Sequence, residues 1–280
     1  MPPNDEAAIE VSTREFLYQS GASGGSARQA VIVETPINIL FGGIGFAVMM
    51  ATPEDLEDFA YGFSFTEGII DRADDIRAVE ISRLEAGLKL DIALSGARMT
   101  AHLARGRVLS GRTGCGLCGI DDLANLPRPP RVAQRAPIAP AAIKKALQAL
   151  DLAQKLNAET HAAHGAAWCD RDGALILLRE DVGRHNALDK TIGALLRRDL
   201  SPDDGFFVIT SRCSFEMVAK AAAFGASTLV AISAPTSLAL ERAAFCGVTL
   251  IALARADHAT IFAAEPAPPQ RQPGDGGLAA

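Results

Sequence analysis

Apolar positions along the chain fall into two regimes, divided by a proline-rich stretch. In the first, apolar runs bounded by glycine predict strands over Gln29–Leu40 and Gly45–Met50, joined through Phe41-Gly42-Gly43. Thr52 then reads as the cap of a helix whose first residue is Pro53. Glu54, Asp55, Glu57 and Asp58 place negative charge in its first turns, where the helix dipole favours it, and Leu56, Phe59, Ala60 and Phe63 form its apolar stripe. Val79–Arg83, Leu88–Leu94 and Met99–Ala104 read as further strands.

The second regime starts with an Ala-rich amphipathic helix from Ala141 to about Leu156. Three units of apolar strand, polar turn and helix follow. Leu175–Arg179 runs through Glu180–Asn186 into a helix over Ala187–Arg198. Phe206–Thr210 runs through Ser211–Phe215 into Glu216–Phe224, and Thr228–Ile232 runs through Ser233–Ser237 into Leu238–Phe245. Val248–Leu253 closes the series. Strands that are apolar without alternation and separated by helices predict an α/β fold, with a largely parallel sheet covered on both faces. The turns after such strands gather at one edge, where helix N-termini offer free N–H groups to an anion.

Leu126–Pro140 contains five prolines, so it cannot be a regular helix or central strand and reads as a linker. The expected organisation is a disordered tail at 1–26, a strand-rich domain at 27–125, the linker at 126–140, an α/β domain at 141–264 and a second disordered tail at 265–280.

A chain of 280 residues with 49% hydrophobic but only 5% aromatic residues must build its cores from Ala, Leu, Ile and Val. Its net charge of -6 argues against sequence-independent nucleic-acid binding, which needs a basic face. Met1–Ala7 lacks a basic region followed by an apolar core, and the apolar run Thr228–Leu253 is broken by Glu241 and Arg242. No signal peptide or membrane span is expected, and five cysteines with one close pair suit a reducing cytoplasm.

That close pair is Cys115 and Cys118, within Gly111–Ile120. Four glycines leave this segment little bulk, suited to presenting sulfur to more than one protein surface, and Arg112 can favour the thiolate. Zinc would need two further ligands, yet there is no second CxxC, and His161 and His164 are too close for a Cys₂His₂ pattern. The zinc deaminase signature is missing too, since no histidine starts an H-x-E and Gly114 stands where the proline belongs. A distant ligand set with Cys169 or His102 is the zinc alternative, and no structural metal is expected. A thioredoxin-like dithiol would open a helix after a first strand, a position this pair does not hold. Cys169, Cys213 and Cys246, flanked by small or apolar residues, read as inert core cysteines.

The segment GRTGCGLCG, together with Glu180–Gly193, Ser211–Lys220 and Ile232–Arg242, resembles the FdhD-type formate dehydrogenase accessory sulfurtransferases; Glu34–Ile37 and Thr52–Ile70 also fit. The resemblance spans roughly residues 30 to 260. It implies a cytidine-deaminase-like C-terminal domain without zinc, a homodimer, Cys115 as persulfide carrier and Cys118 as its partner. It further implies sulfur taken from a cysteine desulfurase and passed to the molybdenum cofactor, a bis-pterin guanine dinucleotide, of formate dehydrogenase. A chaperone that binds the cofactor or apo-dehydrogenase without carrying sulfur is the alternative.

For so large an anion the turns of the second domain are the expected cradle. Arg184, His185, Asn186, Asp189 and Lys190 stand in the first turn, Ser211, Arg212 and Ser214 in the second, and Ser233, Thr236 and Ser237 in the third. The family's cofactor-binding segment aligns with Leu253, Ala254, Arg255, Ala256, Asp257 and His258, where Asp257-His258 replaces the relatives' usual Gly-Arg. Ser211, Ser214, Thr236 and Ser237 also suit helix caps, and Arg184 can pair with Asp181 or Asp189.

Overall fold

A computed structural model describes residues 6–16, 23–105 and 130–262. Cys115 and Cys118, residues 126–129 of the expected linker and the expected tail at 265–280 lie outside them. The chain begins as a hairpin, β1 (Ala8–Phe16) against β2 (Ser23–Ile32), antiparallel with Ala8 opposite Ile32. This corrects the expectation of an unstructured tail over 1–26. The run Ile9-Glu10-Val11-Ser12-Thr13 has period two and is rich in β-branched residues, which outweighs the surrounding glycine and charge.

A four-stranded sheet follows in the order β4-β3-β6-β5, from β3 (Thr35–Phe41), β4 (Ile44–Ala51), β5 (Ile76–Leu84) and β6 (Gly87–Leu94). Burial alternates strictly along β3, and Ile37, Ile39 and Phe41 meet α1 (Leu56–Thr66) in one core with Phe59, Leu90 and Ile92. The helix starts at Leu56 behind Asp55, which is left-handed at φ 52°, and not at Pro53. Thr52 is no cap here because its hydroxyl accepts the Val182 N–H, 3.1 Å away. Met99–Ala104, expected as a strand, lies in helix α2 (Gly96–Arg105). Its His102 rests on the rings of Phe41 and Phe46, a contact that helical spacing supplies.

Residues 130–139 form neither helix nor strand, yet Val132 and Ile138 are buried and the Val132 N–H donates to Cys246 O. Helices α3 (Pro140–Ala153) and α4 (Lys155–Thr160) lead into the larger sheet. It comprises β7 (His164–Asp170), β8 (Leu175–Asp181), β9 (Gly205–Ile209), β10 (Thr228–Ala231), β11 (Thr249–Ala252) and β12 (Thr260–Phe262), in the order β12-β11-β10-β9-β7-β8. One face is covered by α5 (Arg184–Arg197), α6 (Phe215–Phe224) and α7 (Ser237–Cys246), the other by α3.

The sheet is mixed, which corrects the expectation of a largely parallel one. β9, β10 and β11 are parallel, β12 is antiparallel to β11, and β7 is antiparallel to both of its neighbours. Because β7 lies between them, β8 runs in the same sense as β9. The C-terminal ends of β8, β9, β10 and β11 therefore share one edge, as expected for a ligand edge.

The two sheets are joined where α1 crosses α5. A Cβ on Gly62 would run into the Asp189 carbonyl, and one on Gly193 into the Asp58 carbonyl, so the backbones touch. Beside the crossing, buried Asp58 takes Arg179 at 2.7 Å and Arg197 at 2.5 Å. Gly62→Ala is expected to destabilise the chain by at least about 1–3 kcal/mol, because backbone cannot rotate away from the added methyl. A thermal melt checks this, and an unchanged midpoint would contradict the close crossing.

Candidate functional site

Four turns line the shared edge. The turn Asp181–His185 joins β8 to α5, Thr210–Ser214 joins β9 to α6, Ile232–Thr236 joins β10 to α7, and Leu253–His258 leaves β11. Backbone bonds tie the last three of them into a continuous rim. The Cys213 N–H donates to Ala234 O at 3.1 Å and the Thr236 N–H to Cys213 O at 3.0 Å, joining the second turn to the third. The Leu253 N–H reaches Ser233 O at 3.2 Å and joins the third to the fourth. The N-termini of α5, α6 and α7 all open here, each with unsatisfied N–H groups and partial positive charge.

Three side-chain atoms on this edge are buried without a hydrogen-bond partner: Arg184 Nε, His185 Nε2 and Ser214 Oγ. Buried polar atoms are normally satisfied; His185 and Ser214 face the Glu216 carboxylate short of hydrogen-bond geometry, and with Arg184 Nε they leave capacity that a polar ligand can use. His185 Nε2 stands 3.8 Å from Glu216 Oε2, close enough for attraction but too far for a hydrogen bond. Burial opposes ionisation of Glu216, yet His185, Ser214 and its own backbone N–H outweigh it and hold the carboxyl at about 2. Glu216 is thus charged at neutral pH and aligns the imidazole beside it.

The expected residues separate into two sets. Arg184, His185, Ser214, Ser233, Thr236 and Arg255 stand on the rim, as does exposed Arg212. Thr236 caps α7 by accepting the Ala239 N–H, whereas Ser214 makes no such cap bond. Buried Ser211 turns its hydroxyl onto Arg212 O, away from a ligand. Arg255 bonds the Ile232 and Ala254 carbonyls and so braces the fourth turn. In that turn Leu253 is left-handed at φ 52°, Ala254 is buried and Ala256 is exposed. Asp257 and His258 form an exposed pair at 2.9 Å, and the His258 contact holds the Asp257 carboxyl below its usual range.

Lys190, Asn186 and Asp189 are a correction, for each is buried and turned away from the edge. Lys190 Nζ pairs with Asp181 Oδ2 at 2.6 Å and donates to Thr52 O at 2.9 Å, so the fold consumes its charge. Asn186 Nδ2 donates to Met50 O and Asp181 Oδ1. Asp189 takes Lys220 and the Thr66 hydroxyl.

His164, a site residue that sequence alone does not reveal, opens β7 directly opposite Asp181. Burial lowers its pKa, Arg184 and His185 lower it further, and Asp181 pulls the other way, so it is neutral at pH 7. A lone histidine before Gly165-Ala166-Ala167 carries no motif; only the pairing of β7 with β8 brings it to the rim. The cysteines of the larger sheet and its covering helices behave as expected: Cys169 and Cys213 are fully buried, and burial pushes both thiols up to about 12. Among the described residues, no group of three or more His, Cys, Asp or Glu side chains is placed to hold a metal ion, and no helix is long and apolar enough to cross a membrane.

The model of the FdhD/NarQ family matches residues 32–267. The sulfur carrier protein FdhD of Xanthomonas axonopodis pv. citri is 46% identical over 254 residues, covering 90% of each chain. That of Bordetella petrii is 44% identical over 249 residues, 88% of this chain and 90% of the relative. The crystal structure of a protein from Desulfotalea psychrophila, described as a formate dehydrogenase accessory protein, superposes with a TM-score of 0.69 at 26% identity. That match covers 92% of this chain and 97% of the other. A family match over most of the chain and relatives at 44–46% identity agree, and the chain is a member of the FdhD/NarQ family.

Proposed function

We propose that this chain is a sulfurtransferase that carries persulfide sulfur from a cysteine desulfurase to the molybdenum cofactor, a bis-pterin guanine dinucleotide, for formate dehydrogenase. The observation that carries the acceptor side is the set of three orphaned atoms, Arg184 Nε, His185 Nε2 and Ser214 Oγ, beside three helix N-termini. Such an edge suits phosphates, which accept from N–H and O–H donors and gain from the helix dipoles. The names of the relatives support the sulfur side.

In this reading the Cys115 thiolate attacks the outer sulfur of the donor's persulfide. The new S–S bond forms as the donor cysteine leaves as thiolate, with no net oxidation. Cys118 is the helper that stabilises the loaded sulfur or hands it on. The acceptor is bound as substrate, its pyrophosphates on Arg184, His185 and Ser214, with Arg212, Ser233 and Thr236 within the same rim. The protein works as a homodimer in the cytoplasm, with formate dehydrogenase as client.

Guanosine 5′-diphosphate, a fragment of that acceptor, tests the cradle by titration calorimetry. Wild type is expected to bind, and Arg184→Ala to bind at least about tenfold more weakly, the loss of one charged hydrogen bond. Equal binding by the variant, or none by wild type, would contradict the cradle.

A further inference from the structure

We propose that Thr52 and Asp181 are positioning residues that set the first turn of the cradle from the N-terminal unit, a proposal that rests on the cradle reading above. Thr52 directly follows β4, yet all three of its polar groups bond residues of β8, α5 or the turn between them. Its N–H donates to Asp181 Oδ2 at 3.0 Å, its hydroxyl accepts the Val182 N–H at 3.1 Å, and its carbonyl accepts Lys190 Nζ at 2.9 Å. Asp181 Oδ1 completes the arrangement by accepting the Gly183 N–H at 2.7 Å and Asn186 Nδ2 at 3.0 Å. A Cβ on Gly183 would crowd both Asn186 and Asp181, so the turn admits little else.

These bonds fix the backbone of residues 181–183, and the next two residues, Arg184 and His185, carry two of the orphaned atoms. The α1–α5 crossing and the Asp58 ion pairs already join the two units without touching this turn. What the Thr52 contacts add is the direction in which Arg184 and His185 point. Donors held in place before the ligand arrives lose less freedom on binding, which is how such a network raises affinity.

Thr66 supplies a matched control. Its hydroxyl also spans the two units, from α1 to Asp189 and Lys220, but it makes no bond to residues 181–185. Thr52→Val is expected to weaken guanosine 5′-diphosphate binding about tenfold, Thr52→Ser to restore it, and Thr66→Val to lower the melting temperature while leaving affinity unchanged. Equal binding by Thr52→Val and wild type, or equal weakening by Thr66→Val, would overturn the proposal.

Hydrogen exchange of the Val182 and Gly183 amides separates this result from failure of the cradle itself. Exchange is expected to quicken in Thr52→Val and not in Thr66→Val, whether or not nucleotide binds. Unchanged exchange in Thr52→Val would overturn the positioning role, while absent binding by wild type would overturn the cradle reading on which that role rests.

Discussion

Lys190→Met is expected to destabilise the chain by about 3–5 kcal/mol, the cost of leaving one partner of a buried ion pair behind. Lys190 and Asp181 are both 0% exposed, and at 2.6 Å the ammonium is the only cation paired with that carboxylate among the described residues. The Thr52 and Gly183 amides and the Asn186 side chain would still donate to Asp181, but neutral donors cannot replace a charge there. The melting temperature should fall by on the order of 10 °C. Removing the carboxylate as well, in Asp181→Leu/Lys190→Met, is not expected to recover stability, because those three donors would then be orphaned in turn. A Lys190→Met protein that melts like wild type would contradict the structural role of Lys190 and return it to the cradle.

That reassignment shows where sequence reading stops. Lys190 stands five residues from His185 in a stretch rich in charge, and nothing local separates a ligand contact from a core ion pair. Its partners lie 9 and 138 residues away, and the Thr52–Asp181 bond spans 129. Contacts of that kind are set by how α1 seats on α5, which depends on two glycines whose significance appears only once the helices meet. The strands β9, β10 and β11 are legible because each is a dense apolar run closed by a polar turn, and so are helices α6 and α7 between them. β7 is not, for Gly165, Ala166 and Ala167 carry little strand preference and Trp168 is the sole strong signal. Missing it left the sheet looking largely parallel, although the direction of β8 and the shared edge of the turns were unaffected.

The rim was legible in outline for the same reason. Polar residues clustered after apolar strands mark Arg184, His185 and Ser214 as candidates, and the structure gives these three the unsatisfied atoms. Glu216 and His164 were overlooked because each acts through a neighbour on another element. Glu216 lies beside His185 across α5 and α6, and His164 faces Asp181 across two strands.

The largest functional effect is expected at the cysteine pair, the sulfur carrier in the function proposed above. Cys115→Ala removes the thiolate that accepts the sulfur, so loading should cease. Cys118→Ala leaves that thiolate in place and should load while transferring less to the acceptor. Dehydrogenase activation should follow transfer: absent with Cys115→Ala, reduced with Cys118→Ala. Intact-mass analysis after incubation with a cysteine desulfurase and cysteine tests the central claim most directly. The account predicts one added sulfur atom on wild type and on Cys118→Ala, and none on Cys115→Ala or the double variant. No adduct on wild type, or an undiminished adduct on Cys115→Ala/Cys118→Ala, would contradict it.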